Sequence, residues 1–222
     1  MTRRRRWLNR GVQAAWRWLE RTGEIVPGTR AADAFGSLGE GSCIGFPAAT
    51  LMGVGSIHIG SGTLIGRQVT LSVGYGPDDT RAPERGLVIG DRCVIGARTS
   101  LTAHISIVLG DDVWCGQDVF VSDASHGYQD AETPIGRQFG VHQPVTIGAG
   151  SWIGHSAIIL PGTTIGRNVV VAAGAVVRGV VDDNAVVGGS PARVLRRFEP
   201  GVGWVSDAGD VRPVLLPQAI AR

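Results

Sequence analysis

Apolar residues in this chain recur every six positions. From Ile147 the series runs through Ile153, Ile159, Ile165, Val171 and Val177, and two residues before each stand Val145, Ser151, Ala157, Thr163, Val169 and Ala175. The same register occurs earlier in Ile59, Ile65 and Leu71, in Ile89, Ile95 and Leu101, and in Leu109, Cys115 and Val121. Glycine often follows the aliphatic position, as at Gly60, Gly66, Gly96, Gly116 and Gly154. Side chains two apart on a strand share a face, so the aliphatic residue and its small or β-branched companion both point inward. Six residues make one short strand and a bend, and three such units close a triangular coil. One unit cannot bury its apolar edge alone, whereas a stack buries a continuous core. A helix would need spacings of three and four, and so many glycines and β-branched residues would be costly inside it. The pattern predicts an all-β parallel β-helix.

Breaks in the register predict loops. Residues 74–86, with Pro77, Asp78, Asp79 and Pro83, read as an exposed loop. Leu101 and Leu109 are eight apart rather than six, so two extra residues must bulge near His104. The longest break, 122–143, contains His126, Gly127, Tyr128, Asp130, Pro134 and Gln138. Solenoids carry function in the insertions on one face, which makes this break the leading candidate. Ahead of the coils, Leu8, Val12, Ala15, Trp16 and Leu19 stand at helical spacing with arginines between them. This helix is expected to cap the first coil, with peripheral contact to an anionic membrane surface as the second reading. The expected organisation is an N-terminal basic amphipathic helix and linker over 1–35, the β-helix over 36–197, and a tail over 198–222. The tail shows no period and reads as a loosely packed extension or disorder.

Composition narrows the function. Glycine reaches 34 residues in a background rich in aliphatics, which implies many regularly placed turns rather than low complexity. A net charge of +2 gives no argument for nucleic acid, although arginines cluster at 3–6 and at Arg193, Arg196 and Arg197. Three cysteines, Cys43, Cys93 and Cys115, without a CxxC spacing point to neither a disulfide framework nor a zinc site, hence to a reduced, cytoplasmic protein. No secretory signal and no apolar window of about 18 residues is found.

Deprotonating a hydroxyl for acyl transfer requires a base, and imidazole suits neutral pH. Of the five histidines, His126 stands in Val-Ser-Asp-Ala-Ser-His-Gly-Tyr, where the chain leaves the coil just after the inward Val121. It is thus held by a rigid scaffold yet open to substrate. By itself, a histidine in a loop is more often merely solvated.

A run of motifs changes that balance. Val145-Thr146-Ile147-Gly148 is followed by Trp152-Ile153-Gly154, Leu160-Pro161-Gly162-Thr163-Thr164-Ile165-Gly166, Ala172-Ala173-Gly174-Ala175-Val176-Val177 and Gly189-Ser190-Pro191-Ala192-Arg193-Val194. In order and spacing these resemble the hexapeptide-repeat acyltransferases, of the maltose, galactoside and exopolysaccharide acetyltransferase type. The resemblance covers about residues 36 to 195 and is more specific for fold than for activity. It implies a left-handed β-helix and a homotrimer with acyl-CoA bound between subunits. It also implies acetyl transfer from acetyl-CoA to a hydroxyl of a saccharide or glycolipid, with His126 as catalytic base. Asp118, Asp123, His104 and Gln138 are candidates to support the base or the acceptor. On the donor side, Trp152, His155 and Ala173 would lie along the pantetheine arm, and Arg178, Arg193 and Arg196 would meet the nucleotide end. His155 stands where relatives often have a small residue and Arg178-Gly179 where they often have Thr-Lys. No metal is implied, because the paired histidines of the carbonic anhydrases on this fold are absent. The alternatives are an N-acetyltransferase acting on an amino sugar or other amine, and a non-catalytic structural β-helix.

Overall fold

In a computed structural model, which describes residues 3–77 and 79–214, the six-residue register becomes three parallel sheets forming the sides of a triangular prism. Asp78 and residues 215–222 of the tail lie outside the described residues. The first side stacks Ser37–Leu38, Ile57–Ile59, Leu87–Ile89, Ile107–Leu109, Val145–Ile147, Thr164–Ile165 and Val180–Val181. The second stacks Cys43–Ile44, Leu64–Ile65, Val94–Ile95, Trp114–Cys115, Trp152–Ile153, Val170–Val171 and Ala185–Gly189. The third stacks Thr50–Met52, Thr70–Val73, Ser100–Ala103, Phe120–Ser122, Ile158–Ile159 and Val176–Val177. The chain visits the sides in that order, and the whole is a left-handed β-helix.

The axis is a column of buried aliphatics in matched register, such as Ile59, Ile89, Leu109 and Ile147 on the first side. On the second side the residue two before the aliphatic is in three coils a buried hydroxyl. Ser42 Oγ donates to the Gly60 carbonyl at 2.6 Å, Thr63 Oγ1 to Gly90 at 2.8 Å and Ser151 Oγ to Gly166 at 3.0 Å. A polar side chain survives inside the prism because the adjacent coil supplies its acceptor.

The glycine after each aliphatic serves close stacking rather than left-handed geometry. A Cβ on Gly96 would lie 2.3 Å from the Gly116 carbonyl oxygen of the coil above. Positive φ falls slightly later in the bend, where Arg92, Arg98, Asp112, Asp118 and Asn168 adopt it as well as glycines.

Both ends differ from the sequence expectation. The helix α1 (Arg3–Gly23) does not cover the first coil. That end is closed by the short 3-10 turn Ala32–Ala34 and the buried Phe35, with Ile25 bridged to Ile44. The helix instead lies along the edge between the second and third sides. There Glu20 pairs with Arg67, and Gly23 sits so close to Phe46 that a Cβ would meet its ring at 2.4 Å. At the other end the chain reverses after Gly189, and Ala192–Glu199, Gly203–Val205 and Val211–Arg212 extend the second side as an antiparallel ribbon. Trp204 packs on Phe198 with ring centroids 5.5 Å apart. The tail thus contributes sheet over 198–212, and an antiparallel ribbon leaves no six-residue signature.

Candidate active site

The break at 122–143 leaves the prism at the edge between the third and first sides and folds back on itself. His126 bridges Phe139 in antiparallel fashion, the Gly127 amide donates to the Gln138 carbonyl at 3.1 Å, and the Gln143 amide donates to the Asp123 carbonyl at 2.8 Å. The two arms touch at Gly140, where a Cβ would stand 2.0 Å from the Ser125 carbonyl oxygen. Gln138 ties the loop tip: its Nε2 donates to the carbonyls of Asp130 and Thr133, both at 2.7 Å, and its Oε1 accepts from the Asp130 amide.

His126 is exposed and forms the wall shared by two adjoining clefts. One, of about 400 Å³, is lined by Tyr75, His104, Ser122, Ser125, Gln138, Phe139 and His142. The other, of about 390 Å³, is lined by Tyr128, Phe139, Val141, Gln143, Leu160 and Arg178. Its imidazole accepts and donates no hydrogen bond among the described residues, so both ring nitrogens are available to substrate.

Behind the first cleft lies a cluster only partly foreseen. Tyr75 Oη is 2.5 Å from His142 Nε2, His142 stacks on His104 with centroids 5.1 Å apart, and Tyr75 meets His104 edge-on at 4.5 Å. Asp123, fully buried, underpins it. One carboxylate oxygen accepts from the amides of Ile105 and Ser106 at 2.7 Å, and both oxygens accept from the His104 amide at 2.8 and 3.0 Å. The bulge inferred from the eight-residue spacing is therefore three amides wrapped on one carboxylate. Asp123 holds His104 in place and stands 3.7 Å from its Nδ1. Sequence reasoning missed Tyr75 and His142 as site residues. Only the setting of Tyr75 between two glycines, Gly74 and Gly76, hints that the exposed loop folds back here.

The remaining candidates lie elsewhere. Asp118 is on the edge between the second and third sides, gripped by Arg98 at 2.6 and 2.7 Å, and that guanidinium holds its carboxyl below the usual range. His155 Nε2 is 3.7 Å from Asp118 on the same edge, and exposed Ala173 lies one coil further on. Trp152 is exposed on the second side in register with Trp114. Arg196 is spent on the ribbon, donating to the carbonyls of Asp210 at 2.8 Å and Trp204 at 3.3 Å, while Arg193 reaches only the Ala192 carbonyl. One chain thus gathers His126, His104, Gln138 and Arg178 on one edge. It leaves Asp118, His155 and Ala173 on another, with Asp118 in no contact with His126.

Residues 144–179 match the bacterial transferase hexapeptide model of six repeats, and 86–120 match the hexapeptide repeat of succinyl-transferase. A solved N-acyltransferase from Bacillus cereus, AntD, shares the fold, with a TM-score of 0.64 at 21% identity over 78% of this chain and 90% of that one. Repeat and fold together define the architecture: a left-handed β-helix built of hexapeptide repeats. Curated relatives that match it are acetyltransferases. A probable acetyltransferase of Mycobacterium tuberculosis is 35% identical over 58% of this chain and 42% of its own length. The galactoside O-acetyltransferase of Escherichia coli is 35% identical over 50% of this chain and 53% of its own. The chain spans about half the length of the curated relatives it matches.

Proposed function

We propose that this protein is an acyl-CoA-dependent O-acyltransferase that moves acetyl from acetyl-CoA to a hydroxyl of a saccharide, with His126 as the base. The observation that carries the reading is the place of His126 on the wall between two clefts, unengaged by other side chains and fixed by the paired arms of its loop. Its kinship with sugar acetyltransferases supports the same chemistry. In one step an imidazole nitrogen takes the acceptor proton while the oxygen attacks the thioester carbonyl. As the tetrahedral intermediate collapses, the C–S bond breaks and the thiolate of CoA takes the proton from the imidazolium. No covalent enzyme intermediate is needed.

The cleft with Tyr75, His104 and His142 offers hydroxyl and imidazole groups to a polar, ring-shaped acceptor. The cleft that ends at Arg178 offers a cation to the donor. Asp118, His155 and Ala173 join the reaction only if the second–third edge of a neighbouring copy faces His126, as it would in a homotrimer with one site per interface. Transfer of labelled acetyl from acetyl-CoA onto saccharide acceptors tests the reading. His126→Ala is expected to lose on the order of 100-fold or more in turnover while keeping its fold. Wild-type turnover in that variant would remove the assignment, and a larger loss in His104→Ala would move the role there. An alkali-stable product would shift the acceptor from a hydroxyl to an amine.

A further inference from the structure

We infer that α1 docks this protein on an anionic lipid surface. At about 100° per residue, Trp7, Leu8, Val12, Trp18 and Leu19 fall on one arc of the helix, and Arg6, Arg10, Arg17 and Arg21 on the adjoining one. The apolar arc is uncovered: Trp7 is 75% exposed, Val12 65% and Trp18 63%. The helix meets the prism along a narrow strip instead, through Trp16, Glu20 and Gly23 against Arg67, Gln68 and Phe46. Burying a second face against the coils is not how this helix is held.

Charge selects the occupant. Helix residues 3–23 carry seven arginines and one glutamate, +6, so the rest of the chain sums to −4 against a whole-chain +2. The positive charge is concentrated on an element whose apolar arc is free, while the body would be weakly repelled by the same surface. Guanidinium groups beside an indole-bearing arc suit the boundary between phosphate headgroups and acyl chains, where Trp and Arg each place a polar end in water and an apolar part in lipid. A nucleic acid would engage the arginines but leave Leu8, Val12 and Leu19 wet. A second copy would have to supply carboxylates in number opposite those arginines. No helix among the described residues is long and apolar enough to cross a membrane, so the contact is peripheral.

The test is co-sedimentation of the full chain with vesicles of phosphatidylcholine alone and of phosphatidylcholine containing phosphatidylglycerol, at low and high salt. Partition onto the anionic vesicles, weakened by salt, is expected. Combined Arg6→Gln, Arg10→Gln and Arg17→Gln should lower that partition at least tenfold. Trp7→Ser with Trp18→Ser should also lower it, with circular dichroism and the sedimentation coefficient unchanged. Failure of the wild type to pellet with anionic vesicles at low salt overturns the proposal, as does equal pelleting of both variants. A change of oligomeric state in the tryptophan variant would assign the arc to a second copy. Tighter binding to duplex DNA, with no vesicle binding, would assign the arginines to nucleic acid.

Discussion

Asp123 shows how one side chain can shape a candidate site from beneath it. By sequence it is a polar residue three positions before His126, a natural candidate to orient the base. In the fold it is the anchor for three amides of the bulge at 104–106 and is sealed from solvent. Asp123→Ala would leave those part-buried amides without their acceptor. At about 1–3 kcal/mol for each unsatisfied group the variant should lose roughly 3 kcal/mol or more. For a chain of this size that is a fall in Tm of roughly 6 to 12 °C, readable by thermal melting. A Tm within a degree or two of wild type would mean that water replaces the carboxylate. Cys115 is the opposite case, chemically reactive in principle and silenced by its place in the core. Burial pushes its thiol up to about 12, so it should resist maleimide at pH 8 in the native protein and react only on unfolding. Labelling followed by mass spectrometry checks this.

Among the elements, the terminal ribbon changes what its arginines can do. Arg196 holds Gly203–Val205 and the 210 region to the prism through two backbone carbonyls. Arg196→Ala is therefore expected to speed amide exchange across 203–212, whatever it does to donor affinity. Arg193 has no such duty. If it meets the CoA phosphates, Arg193→Ala should raise the acetyl-CoA Michaelis constant roughly 10-fold or more with turnover unchanged. The Arg98–Asp118 pair links neighbouring coils. Because Asp118 is depressed in the folded state, its contribution is present at neutral pH and is lost as acid protonates the carboxylate through that depressed value. Arg98→Ala should lower Tm slightly at pH 7 and make no difference once Asp118 is protonated, as paired melting curves across pH would show.

For the whole molecule, the second side presents Leu64, Trp114 and Trp152, each about half exposed, one above another along the prism. An apolar stripe of this kind marks a contact with another protein surface. With the proposed site split between two edges, that contact is expected to be a homotrimer interface. Trp152→Glu should give monomers by sedimentation, with circular dichroism preserved and acetyl transfer lost together. An active monomer would show that one chain suffices.

The coils were legible in the amino-acid order because a stacked β-helix repeats one local rule, inward residues two apart and a glycine where the next coil presses close. The long break that carries His126 and the bulge near His104 were legible too, since each is a departure from that rule. What only the tertiary structure decided are contacts between residues distant in sequence, which leave no periodic trace. Tyr75 folds over His142 across 67 positions, and Asp123 reaches back across the coil to the amides at 104–106. Asp118 turns to Arg98 rather than to His126, and α1 lies along an edge instead of over an end. Local sequence encodes the bend and the strand; which loops meet at an edge depends on how the coils stack and on the length of chain left over between them.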